Sequence, residues 1–252
     1  MPMCGFPIIH LDKHLKTLVQ NHHRFVALCE EFPKYGSFGE KSFERRVTRI
    51  VTPGTLIDEP FLNTIENNYL LSIHFAADAS SIGLAWTDVS TGELFSKKSH
   101  LHSLRDELAR ICPREVVLRP AASPSTHEAT ESMLKEEGVF FTSWQLETDN
   151  LLPADVESAA VSLLSTYLSK NLMENAPTLS NPRHEADSKM MHLDAHTIKS
   201  LEIKESTYAG GTKGSLVSVI KRTTTDSGTR LLARRLCGLT FIPIMYSLIP
   251  LP

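Results

Sequence analysis

"RRVTRIVTPGTLIDE", residues 45–59, joins two kinds of sequence and decides how the chain divides. Arg45 to Thr52 mixes β-branched residues with arginines, as a strand does, and Pro53-Gly54 then breaks the run into a turn. Three arginines on one strand, Arg45, Arg46 and Arg49, either face a polyanion or form the wet side of an edge strand.

Upstream of this stretch, "LDKHLKTLVQ" (11–20) places Leu11, Leu15, Leu18 and Val19 on one helical stripe. The following "RFVALCEEF" has the apolar density of a buried strand, and Gly36 and Gly39 mark a loop before the arginine strand. Residues 1 to about 57 therefore read as the tail of an α/β unit whose strands require partners from further upstream.

Downstream, "YLLSIHFA", "SIGLAWTDVS" and "GELFSKKS" are strands joined by short loops, Asp78-Ala79-Ser80 and Ser90-Thr91-Gly92, which predicts an antiparallel meander. Helices then alternate with strands. "SLRDELARIC" offers a Ser103 cap with Asp106 three positions on, "EVVLRP" is a β-type run, 125–137 is helical and "GVFFTSW" is a strand. Residues 58–150 are expected to form a second domain with helices over a mixed sheet. From 151 to 238 the expectation is all-helical. "ADVESAAVSLLSTYLSKNL" is a long helix, "NAPTLSNPRHEADSK" a polar linker, "LDAHTIKSLEI" a helix capped by Asp194, and "GSLVSVIKRTTTDSGTRLLARRL" a helix pair. Residues 239–252, "LTFIPIMYSLIPLP", carry no charge and no helical period; they read as an atypical tail of a truncated or misread gene, too short and proline-broken to span a membrane.

The 252 residues are 41% hydrophobic and 22% charged, with a net charge of −3 and a pI near 6.4. That balance argues against a free-standing, strongly cationic nucleic-acid binder, so any contact with DNA is expected to be local or to depend on parts outside this sequence. Cys4, Cys29, Cys112 and Cys237 have neither zinc nor disulfide-framework spacing, which suits a reducing compartment. No secretory or transit segment is legible at the N-terminus.

Three motifs invite chemistry, and each has a plainer reading. "AGGTKGSLVS" (209–218) has the residues of a phosphate loop in the wrong order, since Lys213 precedes Gly214; a helix connection with Ser215 as cap fits better. "HLDAH" (192–196) spaces two histidines like a metal pair, but Asp194 as N-cap leaves His192 outside the helix. "WTDVSTGE" (86–93) offers Asp88 to a carboxylate nuclease, yet Glu115 at a strand start is its only companion, and a turn held by Asp, Ser, Thr and Gly explains the pattern. No catalytic constellation is written in the chain.

Four stretches, "MCGFPIIHLDKHLKTLV" with "VALCEE", "ERRVTRIVTPGTLIDE", "MHLDAHTIKSLEI" and "GSLVSVIKRTTTDSGTRLLARRL", together resemble the MutS family of DNA mismatch-repair proteins. "NHHRFVALCEEF" and "FLNTIENNYLLSI" lean toward its fungal mitochondrial branch. The resemblance implies that 1–57 ends a mismatch-binding domain, 58–150 is a ribonuclease-H-like connector and 151–238 begins a helical core and lever domain. It implies DNA contact by Met3, Cys4, Gly5, Lys41, Arg45 and Arg46, with mismatched duplex DNA and a MutS-type dimer partner as partners, no membrane, and a mitochondrial rather than nuclear location. The family's Phe-x-Glu reader is expected upstream of residue 1, and its clamp and Walker ATPase, with ATP and magnesium, downstream of residue 238. On that basis the 252 residues alone should hydrolyse no ATP and bind duplex only feebly, because a base–aromatic stack worth about 1–3 kcal/mol is missing. The rival readings are a protein-interaction module built on the connector sheet and, more distantly, the carboxylate nuclease.

Overall fold

The computed structural model describes residues 5–35, 41–56, 67–76, 80–121, 123–145, 153, 155–185, 191, 193–208 and 211–238. The chain forms two compact units: residues up to Leu104 with Cys112–His184, and Arg105–Ile111 with the residues from Glu185 onward.

In the first unit, Leu11–Lys16 is helical (α1) and widens into a π turn over Thr17–Asn21. The turn changes the helical phase, so Val19 is buried with Leu15 while Leu18 is left 42% exposed, not on the inner stripe that a regular helix predicts. Two long antiparallel strands follow, β1 (Val26–Tyr35) and β2 (Lys41–Val51). Among the described residues, the end of this ribbon next to Val51 meets a second layer, where Val26 and Leu28 pack with Leu15, Val19, Val51 and Leu56. Contrary to the expectation of a buried strand, the rest of β1 is largely solvated, with Cys29, Glu30 and Glu31 exposed.

The expected meander is present as β3 (Tyr69–Phe75), β4 (Ser81–Asp88) and β5 (Glu93–His100), each antiparallel to the next. The Asp78-Ala79 part of the first loop lies outside the described residues. Helix α2 is Leu104–Ile111, and β6 (Glu115–Leu118) then adds parallel to β3. Helix α3 (Pro124–Glu136) leads to β7 (Phe141–Ser143), parallel to β6. Successive residues Leu70 and Leu71, and Val116 to Leu118, are fully buried, as strands covered on both faces must be.

Helix α4 (Val156–Leu172), capped by the Asp155 carboxylate accepting from the Ser158 amide, does not open a separate helical unit. Ala160, Leu163, Leu164, Tyr167, Leu168 and Leu172 pack on Leu70, Ala85, Val89, Leu94 and Val117 of the sheet. The supposed linker also contributes a short strand, β8 (Arg183–His184), parallel to β5. The sheet order is β7-β6-β3-β4-β5-β8, and the compact unit that holds it runs to His184.

The second unit holds most of α2 with α5 (Ala195–Ser200), α6 (Leu216–Ile220) and α7 (Asp226–Cys237). Asp194, Ser215 and Thr225 cap the last three helices through their side chains. Ile198, Ile203 and Cys237 form its apolar centre with Ala109, Leu193, Val217 and Leu236. Lys213 sits in the α5–α6 connection beside Gly214, whose φ of 88° suits a turn, in keeping with the helix-connection reading.

Candidate nucleic-acid interface

The arginine strand is β2, and its register against β1 determines what each arginine meets. Leu28 opposes Arg49 but Cys29 opposes Val47, so Thr48 is an extra residue, a β-bulge. Beyond the bulge Glu30 opposes Arg46, Glu31 opposes Arg45, Phe32 opposes Glu44 and Tyr35 opposes Lys41. Arg45 reaches across to Glu31 with Nη2 and Nε 2.6 Å and 2.7 Å from the same Oε1. That hydrogen bond, and then the charge behind it, raises the Arg45 pKa above its ordinary value. The Arg46 guanidinium carbon lies over the Phe32 ring, 3.9 Å from its centroid, so its charge rests on an aromatic face. Lys34 and Glu44 form a further exposed pair at 3.8 Å, and Phe43 stands 67% exposed.

Arg45 and Arg46 share an exposed ribbon, with Lys41 at its far end opposite Tyr35. Gly5 is exposed, and a Cβ there would meet nothing. Met3 and Cys4 lie outside the described residues. The acids that accompany the arginines, Glu30, Glu31 and Glu44, were not singled out from sequence, although their position across a hairpin was a readable signal.

The ribbon is anchored by the Thr-Pro-Gly turn after β2. Thr52 and Gly54 bond the buried Glu115 at the start of β6, at 2.5 Å and 2.8 Å. A Cβ on Gly54 would come within 2.6 Å of Leu70 and 2.9 Å of the Glu115 Cβ, so only glycine lets the turn sit this close. Glu115 is thus spent on structure, and so is Asp88, which accepts from the Asn68 and Ser90 amides and the Ser90 hydroxyl. With both acids committed to packing, the nuclease reading loses its two candidate ligands. Among the described residues no three metal-ligating side chains come together, and no helix is long and apolar enough to cross a membrane.

Comparison with known families matches residues 1–60 to MutS domain I and residues 68–150 to MutS domain II. The chain belongs to the MutS family. It is 34% identical over 260 residues to a DNA mismatch repair protein MutS of Rhodopseudomonas palustris (strain HaA2), covering 94% of this chain and 28% of that protein. Its identity to the MutS of Nitrobacter hamburgensis is 34% over 262 residues, with 94% and 29% covered. For the MutS of Dehalococcoides mccartyi the figures are 32% over 250 residues, 93% and 28%. The chain thus spans under a third of the length of these relatives. In MutS terms, the β1–β2 ribbon lies within the domain I match and the β3–β7 part of the sheet within the domain II match.

Proposed function

We propose that this chain is the part of a MutS-type mismatch-repair protein that carries the end of the mismatch-binding domain on its connector domain, and that the parent binds mismatched duplex DNA in an ATP-regulated way. The observation that supports this most is the solvated β1–β2 ribbon, on which Arg45 is paired with a glutamate and Arg46 lies over an aromatic ring. Exposed guanidinium groups suit phosphate oxygens once Arg45 exchanges Glu31 for one, and Met3 to Gly5 and Lys41 complete the contact set in this reading. No Walker loop is written in these residues, so ATP and magnesium belong to another part of a longer parent. A MutS-type dimer partner and a mitochondrial location, in the fungal branch of the family, are part of the same proposal.

The test is fluorescence anisotropy of the 252-residue chain with matched and mismatched duplexes between about 50 and 200 mM salt. Weak binding, in the range of about 10⁻⁴–10⁻⁶ M and falling steeply with salt, is expected, as is its loss on Arg45→Glu with Arg46→Glu. Binding that ignores both substitutions would remove the ribbon from the DNA path and favour a protein-docking role for the sheet.

A further inference from the structure

Glu115 is fully buried, and its two oxygens are divided between two parts of the molecule. Oε2 accepts from the Thr52 hydroxyl at 2.5 Å and the Gly54 amide at 2.8 Å, both in the turn that ends the arginine ribbon. Oε1 accepts from the Tyr167 hydroxyl at 2.6 Å and the Thr142 hydroxyl at 3.0 Å, on α4 and β7. The turn is closed on itself as well, since the Thr52 amide donates to the Thr55 hydroxyl at 2.9 Å and the Thr55 amide to the Thr52 carbonyl at 3.1 Å. A buried side chain satisfied on both sides is rigid, and leaving either oxygen short of donors is costly.

We infer that Glu115 is a positioning residue, which fixes the direction in which the β1–β2 ribbon leaves the α/β domain and thereby aims the arginines. The aiming clause rests on the DNA reading above; the fixing clause does not. Leverage makes the geometry consequential. Ser42 lies nine residues along the strand from Val51, which at about 3.3 Å per residue is roughly 30 Å. A tilt of about 10° at the turn then moves that end by roughly 5 Å, more than the about 3.4 Å rise between successive phosphates on one DNA strand.

Thr52→Val and Thr142→Val test the assignment as a matched pair, because each removes one hydroxyl from the same carboxylate but only the first weakens the hold on the ribbon's turn. Nitroxides at Ser42→Cys on β2 and Ser169→Cys on α4 report the angle, in a background with Cys4, Cys29 and Cys112 changed to serine and Cys237 to alanine. Thr52→Val is expected to broaden the distance distribution about twofold, Thr52→Ser to restore it, and Thr142→Val to leave it narrow while lowering the melting temperature as much. Equal distributions in Thr52→Val and Thr142→Val would overturn the assignment. If Thr52→Val does not fold, amide exchange on the unaltered chain decides: the Gly54 amide should exchange as slowly as those of β3 and β4, and exchange as fast as the solvated end of β2 would overturn it. A ribbon that loosens without any change in duplex affinity would leave Glu115 in its role and remove DNA from the reading.

Discussion

Arg45 donates from Nε to a carboxylate oxygen of Glu31 at 2.7 Å, with Nη2 2.6 Å from the same oxygen, across an exposed ribbon. The pair occupies one edge of the guanidinium and offsets its charge, so Glu31 competes with phosphate for Arg45. Glu31→Gln should strengthen duplex binding roughly two- to fivefold at low salt and steepen the salt dependence by about one phosphate's worth, a slope change near 0.9. Anisotropy titrations at several salt concentrations measure both; unchanged slope and affinity would show that Arg45 does not reach phosphate.

Gly83 of β4 lies directly beneath the start of α4. A Cβ built there would stand 1.8 Å from the Val156 carbonyl oxygen and 2.9 Å from the Glu157 amide nitrogen, both backbone atoms that cannot rotate away. Gly83→Ala must therefore lift the helix, at a cost of roughly 3 kcal/mol or more, which for a chain of this size is a fall in Tm of roughly 6–12 °C. Thermal unfolding followed by circular dichroism gives the answer, and a fall of under about 2 °C would contradict the close packing.

The Tyr167 hydroxyl is raised well above the ordinary tyrosine value of 10.0, by burial first and then by the charge of Glu115 and its hydrogen bond to it. A group that holds its proton more tightly when folded contributes stability that is complete below pH 10 and is lost as pH rises beyond it, because only the unfolded chain then releases the proton. Stability should accordingly decline above pH 10 with a component approaching about 1.4 kcal/mol per pH unit that Tyr167→Phe removes. At neutral pH the same substitution leaves Glu115 one donor short and costs about 1–3 kcal/mol. Urea unfolding of both chains at pH 7, 10 and 11 isolates the difference.

Local pattern revealed the meander, the alternating helices and strands, and the caps at Asp194 and Ser215, since each depends on residues a few positions apart. What stayed hidden depends on long-range pairing. Helix α4 was legible as a helix but not as part of the sheet domain, because the residue that seats it is Gly83, a lone glycine in a strand pattern. β8 has only two residues and no strand signal of its own; it exists because the β5 edge pairs with it. Glu115 draws its donors from Thr52, Gly54, Thr142 and Tyr167, 27 to 63 positions away. On the ribbon, a regular hairpin continued from Leu28 and Arg49 would set Arg46 opposite Glu31; the bulge at Thr48 places Arg45 there instead. No single-strand pattern announces that shift.

In the helical unit, Arg110 is enclosed between two acids, with Nη2 2.7 Å from Glu107 and Nη1 2.8 Å from Glu185, all three side chains largely buried. Burial works against its charge, but Glu107 and Glu185 outweigh it and hold its pKa above the ordinary value. Lys204 adds a bond to the Arg110 carbonyl at 2.9 Å, and Asp106 accepts from the Ala195 amide at 2.8 Å, so one turn of α2 gathers the residues that follow Glu185. Arg110→Met leaves two buried carboxylates without their cation and should destabilise this unit by about 3–5 kcal/mol. Adding Glu107→Gln and Glu185→Gln to it removes the stranded charges and should recover a large part of that loss. Hydrogen exchange of α5 to α7 reports the unit separately from the sheet. If the single and triple variants exchange alike, the cost lies in lost packing of the arginine stem, not in unpaired charge.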